Sequence, residues 1–351
     1  MVFGGLALYN NRRRSEEDNL LEGNRMEINT MWNEFPEIKE ELKRCKKFMI
    51  ESIDIPNKAV RKEVLKLINV DAKFIRPALM ITIGKMYAGG GELDDDFIKI
   101  AATLELLHMA TLIHDDIVDD SPKRRGVESL QSKMGKDVAV YAGDYMLSSV
   151  FSNVIEHAKT MENIKKITRT VNTILSGELI QMEHRNSFSI EEEDYYKIIR
   201  GKTAVMLALS CYEGAYMSGN KEDAEVAWEF GEYVGMAFQL RDDILDVTAE
   251  AIESKKPVNQ DFKEGNFTLP VIEAMKEYSD DLKRIKKENI YSEEANKKVR
   301  DILEKSGAIS YSQDISREYS EKAIKILNDF ENGLFKKYLN QLVCKLLNRS
   351  N

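Results

Sequence analysis

The sequence predicts an all-α helical bundle. Apolar residues recur at three- and four-residue spacing through most of the chain, as in Ile98 to Ile113, which is the period of a helix with a buried face. Only six of the 351 residues are proline, while Glu, Lys, Leu, Ile and Met are abundant, a composition that favours helix. No stretch alternates apolar and polar residues as a half-buried strand would.

Taken in order, residues 1 to 30 read as a loose tail and 31 to 351 as one helical domain, with no linker that would divide it. Glu37 to Leu67 is helix-patterned and interrupted near Pro56, because proline lacks the N–H that a helix interior needs. Val70 to Pro77 reads as a short polar connector and Ala78 to Tyr87 as a helix. Gly89, Gly90 and Gly91 form a loop; no Gly-Lys-Ser/Thr follows, so it is not a phosphate cradle of the Walker type. Phe97 to Ile113 is the next helix, and Ser121 to Gly126 is a basic loop. Ala139 to Ala158 and Ile164 to Gln181 carry apolar helical stripes. A further helix within Ile190 to Tyr216 is broken at Gly201. Lys221 to Asp246 is helical, Thr248 to Thr268 reads as a charged loop, and helices resume to Leu347.

Composition narrows the function. With 43% hydrophobic and 32% charged residues, the chain can bury a core and is a globular rather than a disordered sequence. A net charge of −9 argues against general nucleic-acid binding, which needs a basic face. Cys45, Cys211 and Cys344 are scattered and odd in number, so neither a disulfide framework nor a zinc spacing follows. A reducing cytoplasm is the expected compartment. No run of about eighteen apolar residues is present, so no membrane span is expected. At the N-terminus, the charges of NRRRSEED follow a very short apolar patch, the wrong order for a secretory signal.

Two acidic stretches carry the chemistry. LIHDDIVDD, Leu112 to Asp120, closes an apolar helix with Asp115 and Asp119 four apart, and Asp116 and Asp120 likewise. Like charges at that spacing share a helix face and repel. QLRDDILD, Gln239 to Asp246, repeats the pattern with Asp242, Asp243 and Asp246 after a second apolar helix. One such cluster alone would read equally well as a solvated helix end. Two suggest elements facing each other across a cavity with several metal ions between them. Carboxylate oxygens are what Mg²⁺ prefers, with substrate phosphates completing its shell.

These two motifs, in this order, resemble those of the trans-isoprenyl diphosphate synthases, the polyprenyl synthetase family, over about Lys73 to Pro270. The resemblance implies one large bundle of the isoprenoid synthase type around a deep central cavity. It also implies Mg²⁺, as two or three ions bridging the substrate diphosphate, held by Asp115, Asp116, Asp119, Asp242 and Asp246. The substrates implied are isopentenyl diphosphate and an allylic diphosphate. AKFIRP resembles the family's Gly-Lys-x-x-Arg-Pro, in which the residues matching Lys73 and Arg76 hold isopentenyl diphosphate; Ala72 and Phe74 depart from the usual Gly and Arg. By the same match His108 joins that site. A histidine on an apolar helix is by itself more often a core residue, and His114 is expected to support the neighbouring aspartates. In KRRG, Arg124 would contact the allylic and Arg125 the isopentenyl diphosphate, a use that suits the bidentate guanidinium. Lys202 would bind allylic diphosphate, with Thr203 and Gln239 near the reacting carbons. Gly201-Lys202-Thr203 is not the end of a P-loop, because the required earlier glycine is Tyr196. Lys256 to Pro270 resembles a lid loop: Lys256 matches a diphosphate-binding lysine, and Asp261, Gly265 and Thr268-Leu269-Pro270 also fit. Lys255 and Asn259 replace usual glycines there, and Asn266 a usual lysine.

The activity implied is head-to-tail prenyl transfer. Asp115, Asp119 and Asp242 would bring metal to the departing diphosphate, and Lys202, Thr203 and Gln239 would act beside them. No side-chain nucleophile with an adjacent base is evident. Ala110 and Thr111, one helical turn before Asp115, are small. They are expected to leave the pocket open for products longer than the fifteen-carbon farnesyl chain, such as precursors of quinone side chains handed to membrane enzymes. A terpene cyclase would carry an Asn-Asp-x-x-Ser-x-x-x-Glu-like second motif, which is absent, and a regulatory subunit would have lost its aspartates. The family implies a homodimer, or a heteromer with an accessory subunit.

Overall fold

The structure, a computed structural model, describes residues 27–70, 72–124, 126–248, 259–288 and 292–347. It is the expected all-α architecture. Its contacts group into two compact units: the chain up to Ile81 together with Asp94–Ala158, and Thr82–Leu93 together with the chain from Lys159 onward.

In the first unit, a 3₁₀ turn at Thr30–Glu34 buries Trp32. Helix α1 (Pro36–Ser52) starts on a proline, which costs nothing there because the first N–H groups of a helix have no intrahelical partner. It buries Ile38, Leu42, Cys45 and Met49 along one face. Helix α2 (Lys58–Asn69) is capped by Asn57, whose side chain accepts from the Ala59 and Val60 amides. Helix α3 (Ile75–Tyr87) begins before the expected Ala78 and takes Pro77 into its first turn. Helix α4 (Asp95–Val118) is capped by Asp94, and Asp95 and Asp96 suit its positive end. It packs against α1 and against α6 (Lys136–His157). By length and composition α4 could cross a membrane, but 72% of its apolar window is buried within the fold, the signature of a core helix. Between α4 and α6 lies a two-stranded ribbon, β1 (Lys123–Arg124) and β2 (Val127–Glu128), followed by α5 (Leu130–Met134). This ribbon is where a basic loop was expected. It is too short for a period-2 pattern to register.

The second unit contains α7 (Met161–Glu183), α8 (Glu192–Ile199), a π-helical turn (Arg200–Ala204) and α9 (Val205–Met217). The break expected at Gly201 is this π turn. A Cβ at Gly201 would lie 2.8 Å from the Thr173 carbonyl oxygen and 2.9 Å from the Cα of Gly177, so only glycine allows α7 to pass this closely. Helix α10 (Ala224–Val247) packs against α9 and against α14 (Ala308–Asp329). The same device holds α10 against the π turn: a Cβ at Gly235 would stand 2.4 Å from the Cα of Ala204. Within the expected charged loop stands a short helix, α11 (Gln260–Glu264), then α12 (Leu269–Glu288) and α13 (Glu293–Lys305); the chain ends in α15 (Leu334–Leu347). Phe262, Phe267, Leu269, Leu282 and Val299 join one core cluster.

Candidate active site

In the first unit the acidic motif forms the last turn of α4, with Asp119 as its C-cap. Asp116 is 3% exposed and faces inward. Arg124 reaches it from the β1–β2 ribbon: Nε donates to Asp116 Oδ1 at 2.8 Å and Nη2 pairs with the same oxygen. Burial pushes the Asp116 carboxyl up, while Arg124 pulls it back. The ribbon is tied to the helix end. Ser129 Oγ and Gln131 Nε2 donate to the Ser121 carbonyl at 2.6 and 2.9 Å, and the Ser121 amide donates to the Asp116 carbonyl. Asp120, exposed and at φ +50°, pairs with Lys136 at 2.9 Å rather than with Asp116. An apolar cavity beside α4 is lined by Leu67, Met109, Leu112 and Ile113, with Asp116 and Arg124 also in its wall. Ala110 and Thr111 do not line it: Ala110 is fully buried, and Thr111 is half-buried with its hydroxyl on the His108 carbonyl.

Lys73 is exposed and Arg76 half-buried at the start of α3. The Lys73 carbonyl accepts from Trp32 Nε1 at 2.8 Å, which fixes the loop to the core. Phe74, buried, takes φ +52°, a conformation rare for an aromatic residue. His108 is half-buried on α4. His114 corrects an expectation. Its Nε2 lies 3.2 Å from Asp144 Oδ1 on α6, and Gly143 makes room for the ring, since a Cβ there would stand 2.5 Å from it. It supports α6, not the neighbouring aspartates. Arg125 lies outside the described residues.

In the second unit the π turn delivers Lys202 and Thr203 beside α10. Lys202 is exposed and its Nζ donates to Gln181 Oε1 at 3.3 Å. Thr203 Oγ1 donates to Gln239 Oε1 at 2.6 Å, and Gln239 Nε2 donates to Asp243 Oδ1 at 2.8 Å. The Tyr195 hydroxyl donates to Asp243 Oδ2 at 2.7 Å. Asp243 is 5% exposed, so burial pushes its carboxyl up, opposed by these two hydrogen bonds and by the Lys202 charge. Asp246 Oδ1 and Oδ2 accept from the Gln260 and Asp261 amides at 3.0 and 3.3 Å, capping α11. The Asp261 carboxyl is held well above its ordinary range, first by burial and then by the charges of Asp243 and Asp246. Asn259 occupies φ +54°, so the conformation a glycine would supply is kept by the residue type that tolerates it best after glycine. Its Nδ2 donates to the Asn296 carbonyl at 3.1 Å. Asn266 lines the same pocket as Lys202, Asp243 and Asp261. Lys255 and Lys256 lie outside the described residues. Tyr195 escaped the sequence reading; the available signal was its place seven residues, two helical turns, before Lys202.

Among the described residues no three His, Cys, Asp or Glu side chains form a ready-made metal site. The donors nevertheless suit Mg²⁺, which needs only one or two carboxylates when phosphate oxygens complete its shell. The mutual repulsion of Asp243, Asp246 and Asp261 is the kind of charge a cation relieves.

Residues 57–306 match the polyprenyl synthetase family model. The chain is 35% identical over 273 residues to a protein of Bacillus subtilis named heptaprenyl diphosphate synthase component 2, covering 77% of this chain and 76% of that one. It is 30% identical to a prenyl transferase of Cyanidium caldarium, over 89% and 96% of the two chains. Among solved structures it is similar to a geranylgeranyl pyrophosphate synthase of Lactobacillus brevis, with TM-score 0.83, 29% identity, and 91% and 99% of the chains covered. It is also similar to a polyprenyl synthase of Caulobacter crescentus complexed with calcium and isoprenyl diphosphate, with TM-score 0.79, 26% identity, and 89% and 96% covered. The chain is a member of the polyprenyl synthetase family and, with it, a prenyltransferase of the isoprenoid synthase fold.

Proposed function

We propose that this protein is a Mg²⁺-dependent trans-prenyltransferase that condenses isopentenyl diphosphate head-to-tail with an allylic diphosphate. The observation that carries the reading is the set of acidic helix ends, each with cationic donors in its own unit: Asp115, Asp116 and Asp119 with Arg124, Lys73 and Arg76, and Asp242, Asp243 and Asp246 with Lys202. Acid alone would bind a cation; acid with lysine and arginine suits a metal–diphosphate.

In this reading Lys73, Arg76 and His108 hold the diphosphate of isopentenyl diphosphate, with Arg125. Arg124 and Lys202 hold the allylic diphosphate, with Lys256. Asp115, Asp119 and Asp242 would hold the two or three Mg²⁺ ions. Asp116 accepts from Arg124 and Asp246 accepts from both α11 amides, so these two carboxylates would join the metal site already oriented by donors, with lone pairs left for a cation. Bound Mg²⁺ supplies neutralisation of the charge that develops on the departing diphosphate. The allylic C–O bond breaks and the isopentenyl double bond forms the new C–C bond. A proton then leaves the adjacent carbon, with the released diphosphate as its acceptor. Thr203 and Gln239 face the reacting carbons.

Relatives named heptaprenyl, solanesyl and geranylgeranyl diphosphate synthases favour a product beyond fifteen carbons. Such a chain suits hand-over to membrane enzymes of quinone synthesis. The protein acts in the cytoplasm as a homodimer; the "component 2" in the Bacillus name favours testing an accessory subunit beside it. The test is Asp115→Ala, which should cut turnover by roughly 10²-fold or more while the far-ultraviolet spectrum stays helical. Near-normal turnover would remove the metal role of this motif.

A further inference from the structure

We propose that Tyr195 is a positioning residue for prenyl transfer, because its hydroxyl fixes the polarity of a buried hydrogen-bond relay that ends on Thr203. The inference rests on the prenyl-transfer reading above. Three bonds build the relay: Tyr195 Oη to Asp243 Oδ2 at 2.7 Å, Gln239 Nε2 to Asp243 Oδ1 at 2.8 Å, and Thr203 Oγ1 to Gln239 Oε1 at 2.6 Å. Tyr195 is 2% exposed and Asp243 5%, so the bond between them is buried.

The direction of each bond follows from the one before. An Asp243 carboxylate only accepts, so Gln239 must turn its amide N–H₂ towards it. That leaves Gln239 Oε1 towards Thr203, and two oxygens can hydrogen-bond only if the threonine hydroxyl donates. The single Thr203 proton is thereby committed inside the protein. What Thr203 and Gln239 keep available is oxygen lone pairs, and Gln239 lines a pocket together with Lys202. Lone pairs stabilise positive charge growing on an allylic carbon, whereas an N–H pointed there would oppose it.

Tyr195 holds the first link. Without its hydroxyl, Asp243 Oδ2 has lost a buried donor, and the carboxylate is free to swing towards the Lys202 charge and release Gln239. An amide carries a donor and an acceptor on one rotatable group, so losing its anchor at one end leaves the polarity at Thr203 unfixed. The cations that grip diphosphate lie outside the relay. The loss therefore belongs to the chemical step rather than to substrate binding.

The test is Tyr195→Phe, Thr203→Val and the double variant, in steady state with both diphosphates and Mg²⁺. Tyr195→Phe should lower kcat roughly 10- to 100-fold with each KM within about twofold of the parent. The double variant should fall little further than the worse single one, because both act through Gln239. Unchanged kcat in Tyr195→Phe, a loss carried by KM, or multiplicative losses in the double variant would overturn the proposal. Should Tyr195→Phe fail to fold, Gln239→Glu breaks the relay at its centre by setting a carboxylate with no N–H against the Asp243 carboxylate: a kcat loss of similar size supports the relay, and retained kcat refutes it. An inactive parent protein would instead count against the prenyl-transfer reading.

Discussion

Replacing Glu213 by glutamine should remove the share of the pH dependence of stability that burial of this one carboxyl builds into the second unit. Glu213 lies in α9 with none of its surface exposed. Its Oε2 accepts from Asn163 Nδ2 at 2.6 Å, while Oε1 is buried with no hydrogen-bond partner among the described residues. Burial pushes its carboxyl up to about 8; the Asn163 bond and the Lys166 charge oppose this without reversing it. The unfolded chain releases this proton near the ordinary 4.5. Between those values the folded state holds a proton that the unfolded state has lost, so stability is full below about 4.5 and drains as pH rises towards 8. At about 1.4 kcal/mol per pH unit, and allowing for half-titration at the upper end, the step from pH 6 to pH 8 costs about 2 kcal/mol. An unfolding entropy of about 2.1 cal/mol/K per residue converts that to roughly 3 °C in Tm. The assay is thermal melting of parent and Glu213→Gln at pH 6 and pH 8. Other titrating groups are common to both proteins and cancel. The fall in Tm between the two pH values should be about 3 °C smaller in the variant. Equal falls would refute a protonated, buried Glu213.

Two further substitutions probe how the fold positions the site. Gly235→Ala puts a methyl group 2.4 Å from the Cα of Ala204, against a normal carbon contact of about 3.5–4.0 Å, so α10 must move away from the turn that carries Lys202 and Thr203. It should cost about 1–3 kcal/mol of stability and roughly tenfold or more in kcat; melting and turnover that match the parent would contradict the close approach. Leu112→Phe, in the wall of the apolar cavity beside α4, should shorten the polyprenyl product, read by chromatography of the dephosphorylated chains. An unchanged product distribution would place the floor of the pocket elsewhere.

Much of this architecture was legible in the sequence because helix periodicity and capping are local. Asp94 before an apolar run, the two aspartate motifs at helix ends and the glycine at 201 all announce themselves within a few residues. Pro77 misled by three residues at the start of α3, since proline is excluded from helix interiors but welcome in the first turn. The division of labour among the aspartates was not legible. Spacing makes Asp115 and Asp116 look alike, yet only an arginine eight residues on, carried by a two-residue ribbon, shows which one turns inward. Asp243 and Tyr195 are 48 positions apart and His114 and Asp144 are 30 apart, distances at which local pattern carries no information. The lid departures read differently once the backbone is known, because Asn259 keeps the left-handed conformation.

The most direct test of the central claim incubates the purified protein alone with Mg²⁺, farnesyl diphosphate and labelled isopentenyl diphosphate, and sizes the product. The account predicts a discrete polyprenyl diphosphate longer than the primer by several isoprene units, with none formed when Mg²⁺ is chelated. A folded protein that forms no carbon–carbon bond with farnesyl, geranyl or dimethylallyl primers would contradict it, and a product that stops at fifteen carbons would contradict the chain-length reading.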